Sequence, residues 1–430
     1  MKESIDMTQI KEFATNYENS LEKRAIQRGV VKNGILASSI NQSSTVLNTP
    51  VFSIDLETGN VANQKQSGRC WMFAALNTFR HHMAHTLKLK DFELSQNHTF
   101  FWDKFEKANY FYENIIKTSS EELTSRKVAF LLATPQQDGG QWDMLVALIQ
   151  KYGVVPKSVM PEAFSSSASK ELNTYLNKKL RKDAVTLRNL IAENSSQEVL
   201  RAEKALMLND VYNMLATALG TPPTTFDFDY RDSEQVYHLD QHLTPQTFYA
   251  KYVGLDLSEY VSVINAPTAD KPYNQMYTVE MLGSVVGGQE VRHLNVDMPT
   301  FKELAIAQLK AGEAVWYGCD VGQSSTRDSG IMATDIYDVD STLAVDFSMT
   351  KAERLDYGES LMTHAMVLTG VNLIEGQPTK WKVENSWGDK VGSKGYFVMS
   401  DAWMDEYTYQ VVIKKPTYQN IYKQLSRQTK

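Results

Sequence analysis

Four residues of this chain have the types and the order that covalent acyl transfer needs: Gln64, Cys70, His364 and Asn385. A helical pattern sets in around Cys70. A thiol at a helix start sees the positive end of the helix dipole, which favours thiolate. A thiolate at neutral pH is the species that attacks a carbonyl carbon. Gln64 lies six positions before Cys70. Its amide can donate to a developing oxyanion beside the Cys70 backbone N–H. Trp71, next in sequence, would seal one side of such a site. His364 stands in the small, apolar, strand-like run Met362 to Gly370, and Asn385 follows it by 21 positions. An asparagine carbonyl fixes the tautomer of a histidine and aims its second nitrogen at the sulfur. Trp387 would cover that hydrogen bond from water. Taken singly, each residue has a plainer reading: a buried thiol, a core histidine, a turn asparagine. Together, in this order, they have the types that thiol-dependent acyl transfer would need.

The other candidates separate from these. His81, His82 and His85 lie too near Cys70 in sequence to fold back onto it, and His98, His238, His242 and His293 have unremarkable surroundings. Cys319, in a strand-like run before Asp320 with no histidine or helix start nearby in sequence, reads as a core residue.

The elements that must hold these residues follow from periodicity. Residues 8–29 predict one amphipathic helix opened by Thr8, and 37–48 a polar loop. Val51 to Ile54 predicts a short strand. From Ser67 the pattern turns helical, with Ser67 and Gly68 at the cap and Trp71, Ala74, Ala75, Thr78, Phe79, His82 and Ala84 on the buried side. Further helical stretches lie within 91–155, broken by Pro135 and Gly139-Gly140. Two helices fill 169–219, parted near Asn194-Ser195-Ser196 and stopped by Gly220. Thr244-Pro245 opens a short helix, and another covers 299–311. Strands are predicted at 314–319, 363–371, 381–385 and 396–399. Helices first and sheet later imply an α+β fold with a helical lobe, a sheet lobe and a cleft between them.

Bulk properties narrow the class. The 430 residues are 42% hydrophobic, 22% charged and 10% aromatic, as in ordinary globular proteins. A net charge of −7 argues against nucleic acid as a partner. Two cysteines far apart, no basic-then-apolar leader and no apolar run of membrane length predict a cytoplasmic protein with reduced thiols.

The motifs carry a family resemblance. Gln64-Lys65-Gln66-Ser67-Gly68-Arg69-Cys70-Trp71 resembles the nucleophile segment of papain-like cysteine peptidases, and Asn385-Ser386-Trp387-Gly388 resembles their asparagine segment. Ser67 stands where many secreted papains have a disulfide cysteine. Cys70 and His364 are 294 positions apart, about twice the spacing of simple papains, so insertions lie between them. Over residues 45–413 the chain is similar to the aminopeptidase C/bleomycin hydrolase family. The segments 63–79, 134–145, 265–273, 353–367 and 389–403 carry that closer likeness.

The resemblance implies a papain-like two-lobe unit with an N-terminal extension (1–50), a helical lobe with Cys70 (51–165) and an inserted region (166–300). A β lobe with His364 and Asn385 (301–412) and a tail (413–430) complete it. It implies hydrolysis of peptides from the N-terminus through a thioester at Cys70, no metal or organic cofactor, and a homohexamer with internal active sites. It also assigns Gly139 and Gly140 to the substrate backbone, since no Cβ obstructs an extended peptide there.

One segment departs from the family. The tail, with five basic residues and no acidic one over 414–430, lacks the usual C-terminal ending whose carboxylate meets the substrate's amino group. Three readings stand open: an ending beyond the last of these residues, a divergent ending that still reaches the cleft, or an oligopeptide endopeptidase, the alternative within the family. Outside it stand a transglutaminase-like acyl transferase and a binding barrel with a vestigial site. The first lacks the Gln-to-Cys spacing, and competent residues at all four positions oppose the second.

Overall fold

A computed structural model describes residues 4–89, 91–415 and 417. Its first half is helical. The helix that carries the thiol, Cys70–Leu87, stops at Lys88, which takes the left-handed conformation. It packs against Gln96–Lys117 and Trp142–Tyr152. Ser95 caps Gln96–Lys117 by accepting the His98 N–H at 3.0 Å. Two long helices, Lys170–Ala192 and Gln197–Leu219, lie against Gln96–Lys117. Leu172, Leu176, Leu180, Ala184 and Leu187 form one buried stripe, and Leu200, Met207, Val211, Leu215 and Leu219 the other. Three- and four-residue spacing puts each set on one helix face. Ser196 caps the second helix, and Gly220, at φ 86°, ends it in a conformation that favours glycine.

The second half, with Ile54–Asp55 from the first, builds an eleven-stranded sheet among the described residues. Strand Val315–Cys319 sits between His364–Ile374 and Thr408–Lys414, antiparallel to both. His364–Ile374 pairs on its other side with Gln377–Glu384, which pairs in turn with Tyr396–Ser400. Alternation splits the side chains of the central strand between two cores. Trp316 faces the helical half, where its indole N–H donates to the Trp71 carbonyl at 2.9 Å. Val315, Tyr317 and Cys319 face a second core with Phe301, Leu304, Trp403 and Met404. The α+β class and the helix-then-sheet order are as expected.

Several local expectations are corrected. The helix predicted over 8–29 is two helices, Met7–Glu18 and Leu21–Asn33, and the first is capped by Asp6, not Thr8. The loop predicted over 37–48 contains the short helices Ile35–Ser39 and Gln42–Leu47. The early strand is only Ile54–Asp55. Ser67 and Gly68 do not cap the thiol helix; Arg69 holds that position, without a side-chain cap. His82 is exposed, whereas the first turns of that helix are buried all round. His98 and His293 are buried rather than unremarkable. Strands Phe226–Arg231, Tyr237–Leu243, Tyr260–Ile264 and Thr408–Lys414 were not anticipated. Most of the tail, including its last thirteen residues, lies outside the described residues.

Candidate active site

Cys70 opens its helix at the seam between the two cores, and the start of strand His364–Ile374 brings His364 to it. Both are nearly buried, at 9% and 7% exposure. Burial alone would push the Cys70 thiol up. The His364 charge and hydrogen bond, together with the Ala365 and Trp71 N–H groups, outweigh burial and bring the thiol below its ordinary value. Burial likewise works against imidazolium, but Cys70 and the Asn385 contact raise His364. The pair thus favours thiolate and imidazolium together.

Asn385 follows strand Gln377–Glu384, the hairpin partner of the His364 strand. Its Oδ1 lies 2.9 Å from His364 Nε2, which leaves Nδ1 for the sulfur. The Trp387 ring covers this contact, 5.0 Å from the imidazole between centroids. Arg327 stacks on the same indole.

Gln64 is held from both ends. Its Nε2 donates to the Ser67 carbonyl at 2.6 Å, and its Oε1 accepts from Ser386 Oγ at 2.5 Å. The Gln64 N–H donates to the Ser386 carbonyl at 2.8 Å, so the thiol loop and the asparagine segment share a ladder. The second Nε2 hydrogen stays available for an oxyanion. Sequence reasoning missed Ser386 as the group that fixes this amide, although it lies within the Asn-Ser-Trp-Gly run.

Trp71 is buried beneath the Gly139-Gly140 loop rather than lining an open wall. Its indole N–H donates to the Asp138 carbonyl at 2.7 Å. A Cβ on Gly140 would meet that indole at 2.6 Å, whereas one on Gly139 would meet nothing within 4 Å. Gly140 is therefore required by packing, and Gly139 presents the open edge. Arg69 is fully buried and pairs with Glu162 through both guanidinium nitrogens.

Behind the site, Glu384 accepts from Arg80 Nη2 and meets His81 Nε2, both at 2.7 Å. His81 thus reaches the strand end before Asn385, a long-range contact invisible in sequence. Cys319, read as having no histidine nearby, stands directly opposite His364 in register. The strand pairing brings them together, while the Cys319 side chain remains fully buried in the second core and burial raises its thiol well above its ordinary value. Neither cysteine is in a disulfide.

Comparison with known proteins places the chain in a family. The peptidase C1-like family matches residues 4–429. Aminopeptidase C of Streptococcus thermophilus is 61% identical over 413 residues, 96% of this chain and 92% of that protein. Aminopeptidase C of Lactobacillus delbrueckii subsp. lactis is 54% identical over 415 residues, covering 96% and 92%. The crystal structure of PepW from Lactobacillus rhamnosis HN001 superposes with a TM-score of 0.96 at 65% identity, covering 97% of this chain and 94% of that one. The chain belongs to the peptidase C1-like family, in the aminopeptidase C and bleomycin hydrolase branch of the papain-like cysteine peptidases.

Proposed function

We propose that the protein is a cysteine aminopeptidase that removes residues from the N-terminus of peptides. Cys70 attacks the scissile carbonyl, and the oxyanion is met by the Cys70 N–H and the Gln64 amide. His364 protonates the leaving amine, then takes a proton from water as the thioester is hydrolysed. Asn385 holds the imidazole, Trp387 shields that contact, Trp71 supports the loop above it, and the backbone at Gly139-Gly140 receives the substrate. The observation that carries the reading is the His364–Asn385 contact at 2.9 Å beside a thiol drawn below its ordinary value. The relatives named Aminopeptidase C support N-terminal action.

We read the chain as one peptidase unit with an arm (1–50), a helical lobe (51–165), an insertion (166–300), a β lobe (301–412) and a tail (413–430). We further propose a homo-oligomer, a hexamer by family resemblance, working in the cytoplasm. Helices Met7–Glu18 and Leu21–Asn33 bury none of their residues, and Ile10, Phe13, Leu21 and Val31 are exposed. An unpartnered apolar face of this extent suits a contact with another copy. None of the helices among the described residues is long and apolar enough to cross a membrane.

Mass spectrometry of a decapeptide, with its amine free and acetylated, tests the activity. Stepwise loss of single residues from the free form, with little cleavage of the acetylated form, is expected. Internal cuts in both forms at similar rates would instead mean an endopeptidase. Cys70→Ala should be inactive on either.

A further inference from the structure

We propose that Asp138 is a positioning residue for the peptidase reaction: its buried carboxylate sets the gap between the Cys70 loop and the Gly139 edge. This rests on the cysteine-peptidase reading above and adds to it a side-chain carboxylate that fastens one loop to the other.

The carboxylate joins four separate pieces of chain. Asp138 Oδ2 accepts the Gly68 N–H, two residues before the thiol, at 2.8 Å. Ser169 Oγ donates to the same oxygen at 2.5 Å, and Asn173 Nδ2 donates to Oδ1 at 2.7 Å. Lys104 Nζ, with its side chain fully buried, lies 2.9 Å from Oδ1. Burial would raise the Asp138 carboxyl, but the Lys104 charge and these hydrogen bonds outweigh it and keep it well below the usual carboxylate range.

Backbone contacts around Asp138 make the same connection. Its carbonyl takes the Trp71 indole N–H, and Trp71 follows the thiol. Lys107 Nζ donates to the Gln137 and Gly139 carbonyls at 2.9 and 2.7 Å, is neutralised by Asp103 at 2.7 Å, and lies over the Trp71 ring. The Gly139 edge and the thiol loop therefore cannot shift independently while Asp138 is charged. A peptide that must meet the Gly139 backbone, the sulfur and the oxyanion donors at once feels any such shift. Displacement by about 1 Å can cost about a hundredfold in rate. Alkylation by a small reagent needs only the thiolate and does not feel it.

Two variants separate this from a general loss of structure. Asp138→Asn removes the charge at constant size. Gly68→Ala acts from the other partner: Gly68 is exposed, and its new methyl would stand 2.9 Å from Asp138 Cβ. For each, kcat/KM on a free-amino tetrapeptide is measured beside the pH profile of Cys70 alkylation by iodoacetamide. Hydrolysis should fall about a hundredfold in the first variant and about tenfold in the second, with alkylation rate and profile within about threefold of wild type. Wild-type hydrolysis in either soluble variant would overturn the role of Asp138. Alkylation falling in step with hydrolysis would overturn it too, because the change would then lie in the thiolate or the fold. If Asp138→Asn does not fold, Gly68→Ala decides alone. Wild-type Cys70 that resists iodoacetamide would instead overturn the nucleophile reading on which this inference stands.

Discussion

Cys70 and His364 each occupy a place where burial disfavours charge, and each draws the other toward its charged form. Cys70 falls below its ordinary value, so thiolate forms early as pH rises. His364 rises above its own, so imidazolium persists to higher pH. Thiolate and imidazolium therefore coexist more readily than in the free side chains, and the pairing is opposed by thiol protonation on the acid side and by imidazole deprotonation on the alkaline side. His364→Ala removes the attraction and leaves the burial. The acid limb of Cys70 alkylation should then move to higher pH, which the pH dependence of iodoacetamide labelling measures. An unmoved limb would assign the shift to the helix start alone. Gln64→Ala should lower kcat by roughly 10²–10³ through loss of one oxyanion donor, with little change in KM. Asn385→Ala should cost less than His364→Ala, because the asparagine only orients the group that carries the proton.

The thiol helix and the strand ending at Glu384 meet through one buried carboxylate. Glu384 is fully buried, holds the nearly buried Arg80 and precedes Asn385. Removing one partner of such a pair leaves an uncompensated charge, which typically costs about 3–5 kcal/mol. Glu384→Ala should therefore lower the urea midpoint by a corresponding amount and loosen the Asn385 segment. A midpoint unchanged by the substitution would mean that water replaces the carboxylate and that the two elements are joined by packing alone. Leu180, fully buried on helix Lys170–Ala192, offers the contrast. Leu180→Ala should cost about 2–5 kcal/mol through its cavity and leave kcat unaltered, since Leu180 lies in the helical core and the contacts of its helix to the Asp138 loop come from Ser169, Asn173 and Asn177.

For the molecule as a whole, acid should be destabilising for a reason unrelated to catalysis. His98 and His293 are buried and lowered to about 4 by burial. Both are folded as neutral rings, one accepting from the Trp102 indole at 3.2 Å and the other meeting Ser262 Oγ at 2.7 Å. Their folded values lie below the unfolded value of 6.5. Their contribution is complete above that value and is lost as pH falls from 6.5 to about 4, by about 3 kcal/mol each on the order of the shift. Urea unfolding across this range should show the decline, and His98→Gln should flatten part of it. Stability that is constant between those pH values would place both rings in contact with water.

The sequence by itself determined the family and the candidate site. Cys70, Gln64, His364 and Asn385 stand in local motifs, and a motif is a property of neighbouring residues. It also determined the long helices 170–192 and 197–219, where apolar spacing and a terminal glycine act within one segment. The N-terminal helices were harder to read, because the first two bury nothing and the starts of three are set by the small caps Asp6, Ser20 and Asn41. Strand Thr408–Lys414 was missed because it is buried throughout except at its last residue, so the alternation that marks a half-exposed strand is absent. Only the tertiary structure decided which residues support the chemistry. Ser386 on Gln64, Glu384 between Arg80 and His81, Cys319 opposite His364 and Asp138 beneath the thiol loop are all contacts between distant segments. A buried charge must be paired wherever the chain brings it, and nothing in the local sequence states with whom.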